Sequence, residues 1–188
     1  MKAIMISIKP KWVAKILNGE KTIEIRKTKP KCDLPIDVYI YCTKDNHQLV
    51  KPKDYDKHLL FTKGAVDYSN EQTLNGKVVA KFTLNKVEEH KDFACMFPYS
   101  KLRYNKATCL SEEDLEDYGF VEGKGYVPLY AWHISNLEIF DKPKELSEFR
   151  HITRFRRYGS FKVGIEEQIV PLTKAPQSIC YVEVENDE

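Results

Sequence analysis

Apolar and polar positions alternate from Lys2 to Ile8, the period-2 pattern of a strand. The period changes at Lys11–Asn18, where Trp12 and Ile16, and likewise Val13 and Leu17, stand four apart. This spacing predicts a short helix, and Asn18-Gly19 is a helix stop. Alternation resumes from Lys21 to Lys27. Ile23 and Ile25 share one face, and Thr22, Glu24 and Arg26 share the other. The apolar face belongs in a core, which leaves a carboxylate and a guanidinium two residues apart opposite it, with Lys21 at the entrance to the strand. Read from spacing alone, this is either a recognition or catalytic face, or a surface ion pair of little energetic weight.

Thr28–Pro35 reads as a loop held by Pro30 and Pro35, and Ile36–Cys42 as a β-rich central strand. Thr43–Asn75 is polar, lysine-rich and weakly periodic, so it is expected to be an insertion, since loops of that length are uncommon inside a compact domain. Lys77–Val87 is another strand. Lys91–Thr108, with Phe93, Met96, Phe97 and Tyr99, is expected to cover one end of the core. Ser111 followed by Glu112, Glu113 and Asp114 caps a helix predicted to end at Gly119. Tyr126–Phe140 reads as a strand with a bulge, Asp141–Phe149 as a turn through Pro143 with a helical piece near Glu145 and Leu146, and Ala175–Glu183 as the closing strand. Six strands and two short helices predict an α+β protein built round a small, closed or partly open β-barrel.

The 188 residues suffice for one cored domain with insertions. Hydrophobic content of 42% and charged content of 31% fit a soluble globular protein. No apolar run approaches the ~20 residues of a spanning helix, and the N-terminal stretch reads as a strand, not a signal peptide. The expected location is the cytoplasm, with no membrane partner. The five cysteines are scattered without a Cys-x-x-Cys pair, which argues against a disulfide framework or a zinc knuckle. Cys42 and Cys180 stand in apolar, strand-like runs. The expectation is no metal and no cofactor, the alternative being a metal site assembled from Cys109, His133 and Cys180.

Charge changes the picture more than composition does. Residues 1–31 carry nine basic and two acidic residues, a net +7, and the remaining 157 carry −5. A second basic cluster holds Arg150, Arg154, Arg156 and Arg157, four of the chain's six arginines, interleaved with Phe149, His151, Phe155 and Tyr158. Clustered cations suit phosphate neutralisation, and aromatic or guanidinium planes suit base stacking. The competing reading of the arginine cluster is a solvated loop whose aromatics pack into the core.

The stretch Gly19-Glu20-Lys21-Thr22-Ile23-Glu24-Ile25-Arg26 resembles the signature of the ASCH family, relatives of PUA domains, whose motif runs Gly-any-Lys-any-any-Glu-any-Arg. Gly19, Lys21, Glu24 and Arg26 occupy all four fixed positions. Ser7-Ile8-Lys9-Pro10 and Ile16-Leu17-Asn18 are similar to the family's first strand and helix. Tyr130-Ala131-Trp132-His133-Ile134-Ser135 through Asp141-Lys142-Pro143, and Ala175-Pro176-Gln177-Ser178, resemble longer bacterial and phage-type members. Residues 2–42, 76–90 and 126–183 carry the likeness. It implies a PUA-like pseudobarrel with short flanking helices, one domain over 1–188, and insertions at 43–75 and 150–170.

Three functions stay open. The first is binding of RNA or a nucleotide-like ligand. Lys21 and Arg26 would then contact phosphate or base, and Glu24 would orient Arg26 or accept from a base amine. Lys9, Lys11, Lys15, Arg154, Arg156 and Arg157 would extend the footprint, with Lys11 and Lys15 on the helix face opposite Trp12 and Val13. Gln177 and Ser178 would offer amide and hydroxyl groups to a base edge, and His133 would face the cleft. The second is hydrolysis of RNA or of an acylated cytosine nucleoside, which the resemblance implies for some members, with Lys21 and Glu24 catalytic. The threonine that follows the catalytic lysine by three residues in those amidohydrolases is Glu24 here. Alternation also puts Lys21 on the face away from Glu24 unless the Gly19-Glu20 turn rotates it. The third is a protein-interaction module. Trp132 is expected in the core, and His133 is either a cleft residue or a satisfied structural histidine.

Overall fold

The computed structural model describes residues 1–51, 59–62, 72–90, 105–158 and 163–184. An eight-stranded sheet dominates it, in the order β12-β11-β13-β1-β3-β7-β10-β2. Its members are β1 (Lys2–Ile8), β2 (Ile23–Arg26), β3 (Ile36–Cys42), β7 (Val78–His90), β10 (Leu129–Lys144), β11 (Arg150–Tyr158), β12 (Val163–Pro171) and β13 (Ile179–Glu183). Pairing is antiparallel except between β1 and β3, which run parallel through a crossover carrying α1 (Pro10–Leu17) and β2. The result is the barrel-like α+β fold expected.

The strand β1 is buried along all but its first residue, because its two faces serve two cores. Ile4, Ile6 and Ile8 join Val38, Ile40, Phe82, Leu84 and Trp132 beneath α1. Ala3 and Met5 join Tyr39, Phe149, Leu172 and Val182 on the other side. Trp132 is a core residue with no exposed surface, its indole N–H donating to the Thr28 carbonyl at 3.2 Å. The long β10 carries register shifts on β7 after Trp132, Ser135 and Ile139, and Asn136 sits at φ 49°. These irregularities bend it, so that its first half also pairs with β2.

Two segments hold more strand than their sequence patterns suggest. Part of 43–75 is built into the fold: β4 (His47–Lys51) pairs with β5 (Leu59–Thr62) and β6 (Gln72–Thr73). Leu49 and Leu74 enter the main core against α1, and the Asn75 carboxamide accepts from the Leu49 amide and donates to the His47 carbonyl. Strands of five, four and two residues with polar neighbours leave too little period to read from sequence. The basic 150–164 segment is likewise not a loop: β11 and β12 form an antiparallel hairpin in continuous register from Arg150↔Pro171 to Tyr158↔Val163. Most of the expected cover, 91–104, lies outside the described residues, as do 52–58, 63–71 and 159–162.

Downstream of it, a helical turn at 105–108 and α2 (Glu112–Gly119) pack on β2 and β10. Leu115, Leu129, Ala131, Ile23 and Ile25 form a third core there. Ser111 caps α2 in a reciprocal box with Asp114, as its sequence predicts. A small hairpin, β8 (Phe120–Val121) with β9 (Gly125–Tyr126), follows. Among the described residues no helix is long and apolar enough to cross a membrane.

Candidate nucleic-acid interface

The four residues of the Gly19–Arg26 signature meet through one turn. Helix α1 ends at Asn18, whose amide reaches Ala14 O, and Gly19 follows at φ +74°. This left-handed conformation is costly for any residue with a Cβ. Nothing lies within 4 Å of where a Gly19 Cβ would stand, so only the backbone demands glycine. We expect Gly19→Ala to lower stability by about 1 kcal/mol, measured as a shift in urea midpoint. The turn also carries Lys21, which lies before β2 begins, round to the side of Glu24.

Three charged side chains then form a buried chain. Lys21 Nζ lies 3.2 Å from Glu24 Oε2, and Arg26 Nε lies 3.1 Å from Glu24 Oε1. The three side chains are 2%, 10% and 9% exposed. Lys21 also donates to the Thr108 carbonyl at 2.7 Å. Arg26 Nη2 donates to the Ser7 carbonyl at 2.7 Å, and Nη1 approaches Ser178 Oγ at 3.4 Å. The Arg26 Nε–H is not aligned for a hydrogen bond with Glu24, so that contact is an ion pair by proximity. Both faces of β2 are therefore covered: Ile23 and Ile25 by the 105–119 segment, and Glu24 and Arg26 by the barrel interior. Through Arg26, the last strand of the sheet order reaches back to the end of β1, and side chains make this closing seam.

Burying ions costs several kcal/mol each unless they are paired and hydrogen-bonded. Here two cations share one carboxylate, so a net positive charge is held almost out of water. It lies at the base of a cleft of about 550 Å³. The cleft is walled by Trp12 from α1 and Tyr118 from α2, with Lys9 and Lys44 among its cations and Asp45 and Asp114 among its acids. Gln177 and Ser178 close the β13 side. Lys11 and Lys21 ammonium groups lie 4.6 and 5.4 Å from the centre of the Trp12 ring. Burial raises the Tyr118 phenol above its ordinary range, Arg26 opposing and Glu24 adding, which keeps it a neutral hydroxyl. The Ser111 amide, donating to the Asp114 carboxylate, holds that acid below its usual range and hence ionised.

Of the residues singled out in the sequence, the cleft gathers Lys9, Lys21, Glu24, Arg26, Gln177 and Ser178. Lys11 is not opposite Trp12 but over its ring, because a four-carbon stem lets the ammonium fold back onto an aromatic face. Lys15 is outside the lining and pairs with Glu20 at 3.2 Å. His133 is also outside it; its Nε2 lies 3.3 Å from Glu88 Oε2. Arg154, Arg156 and Arg157 stand on β11, which is joined to β1 through β13. Cys109, His133 and Cys180 do not converge: among the described residues no group of three or more potential ligands could hold a metal. Burial pushes the Cys42 thiol up to about 12 and that of Cys180 to about 11, so neither is a thiolate nucleophile.

Trp12, Tyr118 and the Thr43–Asp45 corner were not legible as site residues. Trp12 stands in an apolar helical pattern, which by itself assigns it no site role. The one available signal was that Asp114 and Tyr118 stand four apart on a predicted helix, and so share a face.

The family model for the ASCH domain matches residues 6–144. A crystal structure of ASCH from Zymomonas mobilis is 20% identical, with 77% of this chain and 73% of that one covered at a TM-score of 0.49. Two crystal structures of its single-residue mutants superpose with TM-scores of 0.50, at 20% and 19% identity. They cover 78% and 77% of this chain, and 77% and 74% of theirs. These likenesses concern the fold. No curated protein matches the chain.

Proposed function

The chain belongs to the ASCH domain family, and from that premise we propose that it binds RNA, or a nucleotide-like piece of it, in the cleft above Lys21, Glu24 and Arg26. The observation that carries this reading is the uncompensated cation at the cleft base, two buried cations on one carboxylate. Such a charge in a site of low dielectric draws an anion or a strong acceptor. Lys9 and Lys44 add charge that a phosphate can meet, and Trp12 offers a ring for a base. Glu24 holds the Arg26 guanidinium in place, and Gln177 and Ser178 bring amide and hydroxyl groups to the same cleft.

Two experiments test this. Affinity for labelled single-stranded RNA should fall as salt rises, and Lys44→Ala should reduce the salt slope by about one counterion. Trp12→Ala should weaken binding by about 1–3 kcal/mol, roughly 5- to 150-fold, if a base stacks there. An affinity indifferent to both changes would move the ligand out of this cleft.

A second reading, hydrolysis, rests on the 3.2 Å contact between Lys21 and Glu24. An amine and a carboxylate in one cleft are the ingredients of proton transfer. Against it, Lys21 is committed to the Thr108 carbonyl as well as to Glu24. Turnover of RNA or of an acylated cytidine, lost in Glu24→Gln with the fold preserved, would put this reading first.

A further inference from the structure

Outside the cleft the chain displays large aromatic rings where burial would be the default. Phe120 is 52% exposed and Tyr126 65%. They stand directly opposite each other on β8 and β9, in an edge-to-face pair with ring centres 5.6 Å apart. The hairpin turns through Gly123 and Gly125, at φ +76° and +69°. These conformations suit glycine and fix the two strands in register. The rings therefore project from a paired hairpin.

The surroundings are anionic. Residues 111–127 hold six acidic side chains against the single Lys124. Glu112, Glu113, Glu116, Asp117 and Glu122 are all exposed. This is the opposite of the basic amino-terminal part of the chain. Next to the pair, at Tyr118, the same segment already takes a cation on a ring: the Lys27 ammonium lies 4.8 Å from the centre of the Tyr118 ring. Aromatic faces attract ammonium and guanidinium groups, and neighbouring carboxylates strengthen that attraction while repelling phosphate.

We propose that the β8–β9 hairpin and the adjoining face of α2 are a docking surface for an arginine- or lysine-rich polypeptide segment. Its cationic groups would stack on Phe120 and Tyr126 and pair with Glu116, Asp117 and Glu122. This surface shares α2 with the cleft, which Asp114 and Tyr118 line, but Glu116, Asp117, Phe120, Glu122 and Tyr126 lie outside that lining. A protein with both would hold an RNA and a basic protein side by side.

The test is a fluorescence-anisotropy titration of the full chain with a short labelled arginine–glycine peptide, and with a glutamate–glycine peptide of equal length. The variants are Phe120→Ser/Tyr126→Ser, which keeps every charge, and Glu116→Gln/Asp117→Asn, which keeps both rings. Both sets of substituted residues are exposed, and thermal melts establish that each variant folds. The expected result is binding of the basic peptide only, weakened about tenfold by the ring variant and made less salt-dependent by the charge variant. Three results would overturn the proposal. One is absence of binding to the basic peptide. Another is equal affinity in the ring variant, which would reduce the effect to diffuse charge. The third is a concentration-dependent dimer, or an RNA complex, that the ring variant abolishes, since the face would then belong to a second copy or to RNA.

Discussion

Glu24→Ala should lower the stability of the protein by about 3–5 kcal/mol, the usual cost of breaking a buried ion pair from one side. The substitution leaves Lys21 and Arg26 as two like charges in the same desolvated site, each now short of its carboxylate. For a chain of this size that loss lowers the melting temperature by roughly 6–20 °C. Glu24→Gln retains an acceptor oxygen and should fall between the wild type and the alanine variant. Urea titration of the three proteins measures the effect directly. A loss below about 1 kcal/mol for Glu24→Ala would mean that the triad behaves as a solvated surface pair, and the picture of a charge held out of water would fail with it.

The second large effect concerns Arg26. Its guanidinium is the fork that joins β2 to the Ser7 carbonyl, Glu24 and Ser178. A lysine preserves the charge but has one ammonium in place of the planar fork, and cannot span Ser7 and Ser178 while facing Glu24. Arg26→Lys should therefore keep the fold and weaken RNA binding by about 1–3 kcal/mol, near tenfold in the lower part of that range. Arg26→Ala should lose binding altogether, because the remaining Lys21–Glu24 pair is neutral and the cleft base no longer attracts an anion. Circular dichroism at the assay temperature separates lost binding from lost fold.

Much of this cleft is legible in the sequence alone. The period change from alternation to helical spacing and back, with Asn18-Gly19 between, located the turn, and the motif marked Lys21, Glu24 and Arg26, which the fold brings together. What could not be read was how many layers cover β2. Alternation showed one apolar face, and from that alone the charged face seemed free. In the fold, the 105–119 segment, some ninety residues further on, covers Ile23 and Ile25, while barrel closure covers Glu24 and Arg26. Such non-local cover leaves no mark on a local pattern. The position of Lys21 was similarly hidden, because a left-handed turn suspends the alternation that a strand obeys. Short strands such as β4, whose Leu49 and Val50 are fully buried, were masked by polar neighbours. An apolar helical stripe such as the one that holds Trp12 does not reveal which of its edges meets a cleft. The bulged β10 and the core position of Trp132 were both anticipated, since long aromatic-rich strands bend to close small barrels.

The cleft also has limits that bear on its ligand. Its acids, Asp45 and Asp114, face the same space as Lys9 and Lys44. A site of mixed sign suits a ligand that carries both phosphate and base, whereas a polyanion alone would need a one-sign groove. This favours contact with one or two nucleotides at the cleft over continuous tracking of a long strand.

The most direct test of the central claim is an anisotropy titration of labelled single-stranded RNA with wild type, Arg26→Lys and the exposed control Lys142→Ala, at two salt concentrations. The RNA is run afterwards on a denaturing gel. The account predicts salt-sensitive binding of RNA that stays intact, weakened about tenfold in Arg26→Lys and unchanged in Lys142→Ala. Equal affinity in all three proteins, with each folded, would contradict it and place the RNA, if bound, elsewhere on the molecule.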